Sequence, residues 1–316
     1  MNTLDAQRIA AGVNRGELDP AQVLAGFEQR IALRNAQLNA IVGGRSEALD
    51  ADLRHLQQRL AAGERPPLAG VPIVVKDVIW VEGRRVTQGS RLFQDFIAPH
   101  DAIAVERLRR AGALIVGMGN TSEFACKGLT TNRVYGVTRH PMDERLTPGG
   151  SSGGCAVAVA DGMAPLALGT DGGGSSRRPP AHVGVVGFKP SWGAVPDSIG
   201  FPHAFNGLQV IAPIARHVGD AALLFEAIAG ADRRDPDSVA LAATDERVVR
   251  RPRIAYSPRL GLDVPVDADV ESAVHAAIAR LQQAGFDIER ADPVWPAGVD
   301  AAAHCPHILA ASPPCM

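Results

Sequence analysis

Several shortages in this 316-residue chain narrow what it does. Cysteine is scarce: Cys126, Cys155, Cys305 and Cys315 are the four, and none stands in a C-x-x-C or Cys/His spacing suited to zinc. Reduced thiols and a cytoplasmic location are therefore expected. No stretch approaches the roughly 18 uninterrupted apolar residues of a spanning helix, and the N-terminal Met1-Asn-Thr-Leu-Asp-Ala-Gln-Arg8 lacks the apolar centre of a secretory leader. No membrane is expected as a partner. The formal net charge is only -2, which gives no electrostatic reason to expect nucleic acid. Arg107, Arg109 and Arg110, like Arg250, Arg251 and Arg253, form short groups beside expected helices or strands and read as solvated faces. No fixed-period repeat is present, which excludes solenoids. A phosphate loop is missing too, because Pro190 follows the lysine of Gly187-Phe-Lys189.

What the chain has is two glycine-serine knots, Thr147-Pro-Gly-Gly-Ser-Ser-Gly-Gly-Cys155 and Gly169-Thr-Asp-Gly-Gly-Gly-Ser-Ser-Arg177. Between them lies an apolar helix, a turn at Asp161-Gly162 and a buried strand over about 165–168. The knots should therefore meet in space. Glycine runs are often loose linkers, but the apolar elements on both sides argue against that here. Glycine also lets a backbone approach a ligand closely.

Around this centre the elements follow in order. Residues 3–35 read as a helical hairpin, with Ile9, Val13, Val23, Phe27 and Ile31 inward and Asp19-Pro20 opening its second helix. An amphipathic helix over 45–63 sets Leu49, Leu53, Leu56 and Leu60 on one face. Residues 68–80 then read as a buried strand interrupted by Lys76, whose neighbour Asp77 is a candidate partner although adjacent strand residues face opposite ways. Helix, glycine and strand recur over 101–117, loosely from Asp220 to Ser257, and again over 269–289. Beyond Trp295 the Ala- and Pro-rich end reads as an irregular tail over 296–316.

Three templates bear on the serines. Gly149-Gly-Ser-Ser-Gly153 matches G-x-S-x-G in form, but a nucleophile elbow needs an apolar strand before it and 140–148 is polar and proline-broken. No S-x-x-K places a serine and a lysine one helical turn apart. His182, His203 and His217 leave a histidine-dependent triad open, though none lies in a motif that fixes its position. What remains is a lysine in an apolar strand and two glycine-flanked serines.

Lys76 in Gly-Val-Pro-Ile-Val-Val-Lys-Asp, Gly149-Gly-Ser-Ser-Gly-Gly154 and Gly169-Thr-Asp-Gly-Gly-Gly-Ser-Ser-Arg-Arg-Pro179 together resemble the amidase signature family of serine hydrolases. Gly117-Met-Gly-Asn-Thr-Ser-Glu-Phe124, Gly184-Val-Val-Gly-Phe-Lys-Pro190 and Gly207-Leu-Gln-Val-Ile-Ala-Pro-Ile-Ala-Arg216 extend the likeness over roughly 5–295. It implies an α/β fold: a large mixed β-sheet flanked by helices on both faces, with an N-terminal helical segment. It also implies one domain over 1–295, made of N-terminal helices (1–65), a catalytic core (66–220) and a partial C-terminal part (221–295).

The resemblance makes Ser175 the nucleophile, Ser151 the bridging serine after a cis Gly150-Ser151 peptide, and Lys76 the base. The N–H groups of Gly172, Gly173, Gly174 and Ser175 would form the oxyanion hole. Burial among Val74, Val75 and Val78 would bring the lysine near 7–8, so that it accepts a proton. The implied reaction is hydrolysis of a small-molecule amide, with no metal or cofactor; a homodimer is left open. Asp171 and Arg177 are expected to hold the loop. The run departs from the family at Gly172, usually Thr or β-branched, at Ser176 and Arg178, usually apolar, and at Pro180, usually small. Family members normally run longer, so C-terminal truncation is expected. Two other readings stay open: a tRNA-dependent amidotransferase's glutaminase component, its A subunit, and a truncated, inactive relative.

Overall fold

The computed structural model describes residues 5–202, 207–241 and 252–296. The chain divides into two compact units, Met1–Leu241 and Ala242–Met316. The irregular tail expected over 296–316 lies, apart from Pro296, outside the described residues, as do His203, Cys305 and Cys315.

The first unit opens with the expected hairpin, α1 (Ala6–Asn14) and α2 (Pro20–Leu38). The Asp19 carboxylate accepts from the Ala21 N–H at 2.9 Å, and Pro20 occupies the first turn, where a missing N–H costs nothing. Ile9, Val13, Val23 and Phe27 are buried, each worth roughly 1.5–3 kcal/mol of transfer free energy. After β1 (Ile41–Val42), α3 (Ala48–Ala61) buries Leu49 and Leu56 fully and Leu53 and Leu60 in part.

The remaining elements of this unit are β2 (Pro72–Lys76), α4 (Ile103–Arg110), β3 (Leu114–Gly119), the small hairpin β4 (Thr131–Asn132) and β5 (Gly136–Val137), α5 (Gly153–Ala160), β6 (Leu166–Asp171), α6 (Arg178–Val183), β7 (Val186–Gly187), β8 (Val210–Ala215) and α7 (Val218–Ile228). One six-stranded sheet runs in the order β1-β3-β2-β6-β8-β7. The sheet is mixed: β2 is parallel to β3 and β6, while β1, β8 and β7 join antiparallel. Every residue of β2, β3, β6 and β8 is buried, which is why these strands read as continuous apolar runs rather than alternating ones. Helix α5 packs on β2, β3 and β6, and α7 on β8 with α4 beside it, so helices flank both faces. Among the described residues no helix is long and apolar enough to cross a membrane.

Three expected boundaries move. The strand expected over 68–80 shrinks to Pro72–Lys76, because the N–H groups of Val78 and Ile79 fold back on the Lys76 carbonyl at 2.7 and 3.0 Å. That turn leaves Lys76 at the end of a strand and not in its middle. The strand expected to stop near Leu168 runs on to Asp171, paired along its length with β8. The loose unit from Asp220 to Ser257 does not hold together, since α7 belongs to the first compact unit and β9 (Arg253–Tyr256) to the second. In that second unit β9 pairs in parallel with β10 (Asp287–Arg290), the two being joined through α8 (Ala268–Gln283), whose N-cap is Asp267.

Candidate active site

Lys76 ends β2 with its side chain fully buried, and its Nζ lies 2.7 Å from Ser151 Oγ and 2.9 Å from Thr170 Oγ1. Both partners are neutral hydroxyls. Removal from water penalises the ammonium and lowers this lysine to about 7, against smaller opposing pulls from Cys155, Asp171 and Cys126. Asp77 is not its partner. The Asp77 carboxylate instead accepts from the Thr87 N–H at 2.9 Å, the Thr87 hydroxyl and the Gly89 N–H at 3.4 Å, pinning the turn after β2, and burial pushes it up to about 6.

Ser151 follows a cis Gly150-Ser151 peptide, as the motif implies. Only glycine fits before it, because a Cβ on Gly150 would stand 2.7 Å from the backbone N and C of Leu129. The two knots do meet. The Ser152 N–H donates to the Ser175 carbonyl at 3.2 Å, while the hydroxyls of Ser152 and Ser176 both donate to the Thr170 carbonyl at 3.2 and 3.0 Å. Ser175 is 7% exposed, and among the described residues its hydroxyl has no hydrogen-bond partner. The Ser151 and Ser175 hydroxyls are thus not hydrogen-bonded to each other. Nor, among the described residues, does His182 or His217 hydrogen-bond either serine: His182 offers its carbonyl to His140 Nε2 at 3.0 Å, and His217 stands at the N-cap of α7.

Asp171 organises the glycine run. Its carboxylate accepts from the N–H groups of Gly174 at 2.7 Å and Ser176 at 3.1 Å, and Arg177 grips it with two contacts of 2.9 Å. Burial raises this carboxyl, but the guanidinium and the two amides outweigh it and hold the group below its ordinary range. Gly174 can bend back to Asp171 because it sits at φ +106, a conformation costly for any residue with a Cβ. Its N–H is thus turned to a carboxylate, whereas the N–H groups of Gly172, Gly173 and Ser175 have no partner among the described residues. Arg178 is exposed, and its side chain crosses Gly174 and Gly128, where an added Cβ would meet it at 3.0 Å in each case.

Thr170 is a neighbour of Lys76 that sequence reasoning misses. Its signal is its place in Gly169-Thr-Asp171, hidden when the strand is ended at Leu168. Cys155, in the first turn of α5, is fully buried, and burial pushes its thiol up to about 12. Iodoacetamide at pH 8 is expected to leave Cys155 unmodified in the folded chain and to alkylate it once denaturant is added; modification in the folded state, read by peptide mass mapping, would contradict this packing.

Beside Thr170 opens a cavity of about 350 Å³ whose walls include Trp80, Phe93, Phe124 and Phe201.

Comparison with known proteins gives the family. A model of the family Amidase matches residues 22–305, and the chain belongs to the amidase family. It is 43% identical over 288 residues to the A subunit of the glutamyl-tRNA(Gln) amidotransferase of Deinococcus radiodurans, covering 89% of this chain and 58% of that one. It is 39% identical over 301 residues to an acylamidase of Rhodococcus erythropolis, covering 93% and 63%. Among solved structures, the native peptide amidase from Stenotrophomonas maltophilia superposes with a TM-score of 0.82 at 31% identity, over 92% of this chain and 62% of that one. The chain spans about three fifths of the length of the curated relatives it matches.

Proposed function

We propose that this chain is an amidase, hydrolysing a carboxamide to a carboxylate and ammonia or an amine with Ser175 as nucleophile, Ser151 as bridge and Lys76 as base. The observation that carries the proposal is Lys76: fully buried, without a carboxylate partner among the described residues, lowered to about 7 and 2.7 Å from Ser151 Oγ. A buried amine in that range is half discharged near neutral pH and suited to take a proton.

In the proposed reaction the Ser175 proton moves to Ser151 as the Ser151 proton moves to Nζ, and Ser175 Oγ bonds to the amide carbon. The oxygen of the tetrahedral intermediate is held by the N–H groups of Gly172, Gly173 and Ser175, which carry no other hydrogen bond among the described residues. The C–N bond then breaks as the proton returns through the relay to the departing nitrogen, leaving a Ser175 ester. Water, deprotonated by the same relay, cleaves the ester and restores the serine. The Ser151–Ser175 contact forms with substrate, catalytic hydrogen bonds being commonly loose before it binds.

The test is labelling by a fluorophosphonate probe with peptide mass mapping. Label at Ser175 is expected, absent in Ser175→Ala and strongly slowed in Ser151→Ala. Since only neutral Lys76 accepts a proton, the labelling rate is expected to rise about tenfold per pH unit below 7 and to level above it. A flat profile across pH 5–9 would remove Lys76 from the role of base. Absence of label on folded protein would favour an inactive relative. The similarity to amidotransferase relatives supports a second reading, in which the same chemistry releases ammonia from glutamine only when partner subunits are added.

A further inference from the structure

The cavity beside Thr170 has a composition that the proposed reaction does not require. Trp80, Phe93, Phe124 and Phe201 line it, and Phe96 stands behind them. These are four of the nine phenylalanines and one of the three tryptophans in the chain, drawn together from distant stretches. Their rings are in mutual contact: Phe93 to Phe201 at 4.9 Å between centroids, Phe96 to Phe201 at 5.1 Å, Trp80 to Phe96 at 5.3 Å and Trp80 to Phe201 at 5.5 Å. Phe93 and Phe124 meet edge to face at 6.3 Å. Tilted and edge-on rings of this kind accept one more ring in the same geometry. Among the described lining residues there is no lysine, arginine or histidine, and Asp197 is the only carboxylate.

The rim is built with conformational strain. Gln88, Phe124 and Ala125 all take left-handed backbone angles, φ 52, 53 and 55, without being glycine. The Phe124 N–H donates to the Gln88 carbonyl at 2.8 Å, holding the two rim segments together. Left-handed non-glycine residues concentrate where a surface is shaped for a ligand. Thr170, whose hydroxyl lies 2.9 Å from Lys76 Nζ, lines the same cavity.

Resting on the reading of this site as an amidase, we propose that the substrate is an amide carrying an uncharged aromatic group, which seats among Trp80, Phe93, Phe124 and Phe201 while the amide lies toward Thr170 and the serines. A free amino acid amide such as glutamine fits poorly, because no cation in the described lining meets its carboxylate. An amide with a short alkyl chain leaves the rings uncovered.

The proposal is tested by calorimetric binding to the full chain carrying Ser175→Ala, which prevents turnover, with 3-phenylpropanamide, propanamide and L-glutamine as probes. The aromatic amide is expected to bind at least tenfold more tightly than propanamide, about 1.4 kcal/mol. Phe93→Leu, which keeps an apolar side chain but removes the ring that touches Phe96, Phe124 and Phe201, is expected to erase most of that preference. Equal affinity for the two amides, or tighter binding of glutamine, overturns the proposal. If Phe93→Leu does not fold, the comparison of probes on the parent chain decides alone. Label at Ser175 without aromatic preference defeats the pocket and spares the reaction. Aromatic preference without label does the reverse.

Discussion

Lys76→Met is expected to slow fluorophosphonate labelling of Ser175 by about 10³-fold, within the 10²–10⁴ that a general base contributes. The same substitution gives a second, independent signature in stability. In the folded chain burial holds Lys76 near 7, whereas in the unfolded chain it returns to about 10.5. Between those values the unfolded state binds more protons, so this group makes the wild type more stable as pH rises from about 7 to 10.5, with the full penalty present below 7. At ~1.4 kcal/mol per pKa unit, the penalty is roughly 5 kcal/mol at its largest. Methionine cannot be charged. Measured by denaturant melts, the stability of Lys76→Met relative to wild type is expected to improve steadily as pH falls from 10 to 7 and to change little below that. A constant offset over that range would mean that Lys76 is hydrated and charged in the fold. Part of the gain is offset by the Ser151 and Thr170 hydroxyls, each of which loses a partner at a cost of about 1–3 kcal/mol. For that reason the pH trend, and not the absolute stability, is the decisive quantity.

Gly154→Ala is expected to cost more than about 4 kcal/mol, enough to prevent accumulation of folded protein. A Cβ there would stand 2.3 Å from the Asn120 N, 2.5 Å from the Ala40 carbonyl oxygen and 2.6 Å from the Asn120 carbonyl oxygen. All three are backbone atoms, held by the Asn120 N–H to Ala40 carbonyl bond of 2.9 Å and the Gly154 N–H to Asn120 carbonyl bond of 3.1 Å. No side chain can swing aside to make room. Gly173→Ala is the control, since nothing lies within 4 Å of a Cβ at that position. Similar melting of Gly154→Ala and wild type by circular dichroism would show that α5 can move away from β3.

Several features of the site were legible because each obeys a local rule. Lys76 stood out as a charge in an apolar strand, and the two knots stood out because an apolar helix and strand must bring their ends together. Strands β2, β3 and β6 could be read because burial on both faces removes polar alternation, whereas β8 was not read as a strand. What the sequence concealed depends on contacts between distant residues. Whether Gly174 offers its N–H to a ligand or to Asp171 is decided by its φ of +106, which glycine permits without announcing. Thr170 joins Lys76 only because pairing with β8 carries β6 past Leu168. The aromatic cavity combines Trp80, Phe93, Phe124 and Phe201, which share no motif. The loose unit from Asp220 to Ser257 failed because alternation of helix and strand does not say in which compact unit each element is placed.

The surroundings of Lys76 carry one more consequence. Its amine is discharged by dryness and not by a neighbouring positive charge, and the packing that keeps it dry is close: a Cβ on Gly119 would come within 2.4 Å of Cys155 Sγ and 3.2 Å of a Val74 methyl. A base of this kind can be disabled by a single water molecule. Trimming Val74 or Cys155 removes no group that handles a proton, yet a vacancy that hydrates Nζ would restore the ammonium and move the rising limb of the pH profile upward by units. On the proposed mechanism the fault would register as a change in acidity while every proposed reacting residue stayed in place, which would make watertightness itself a catalytic property.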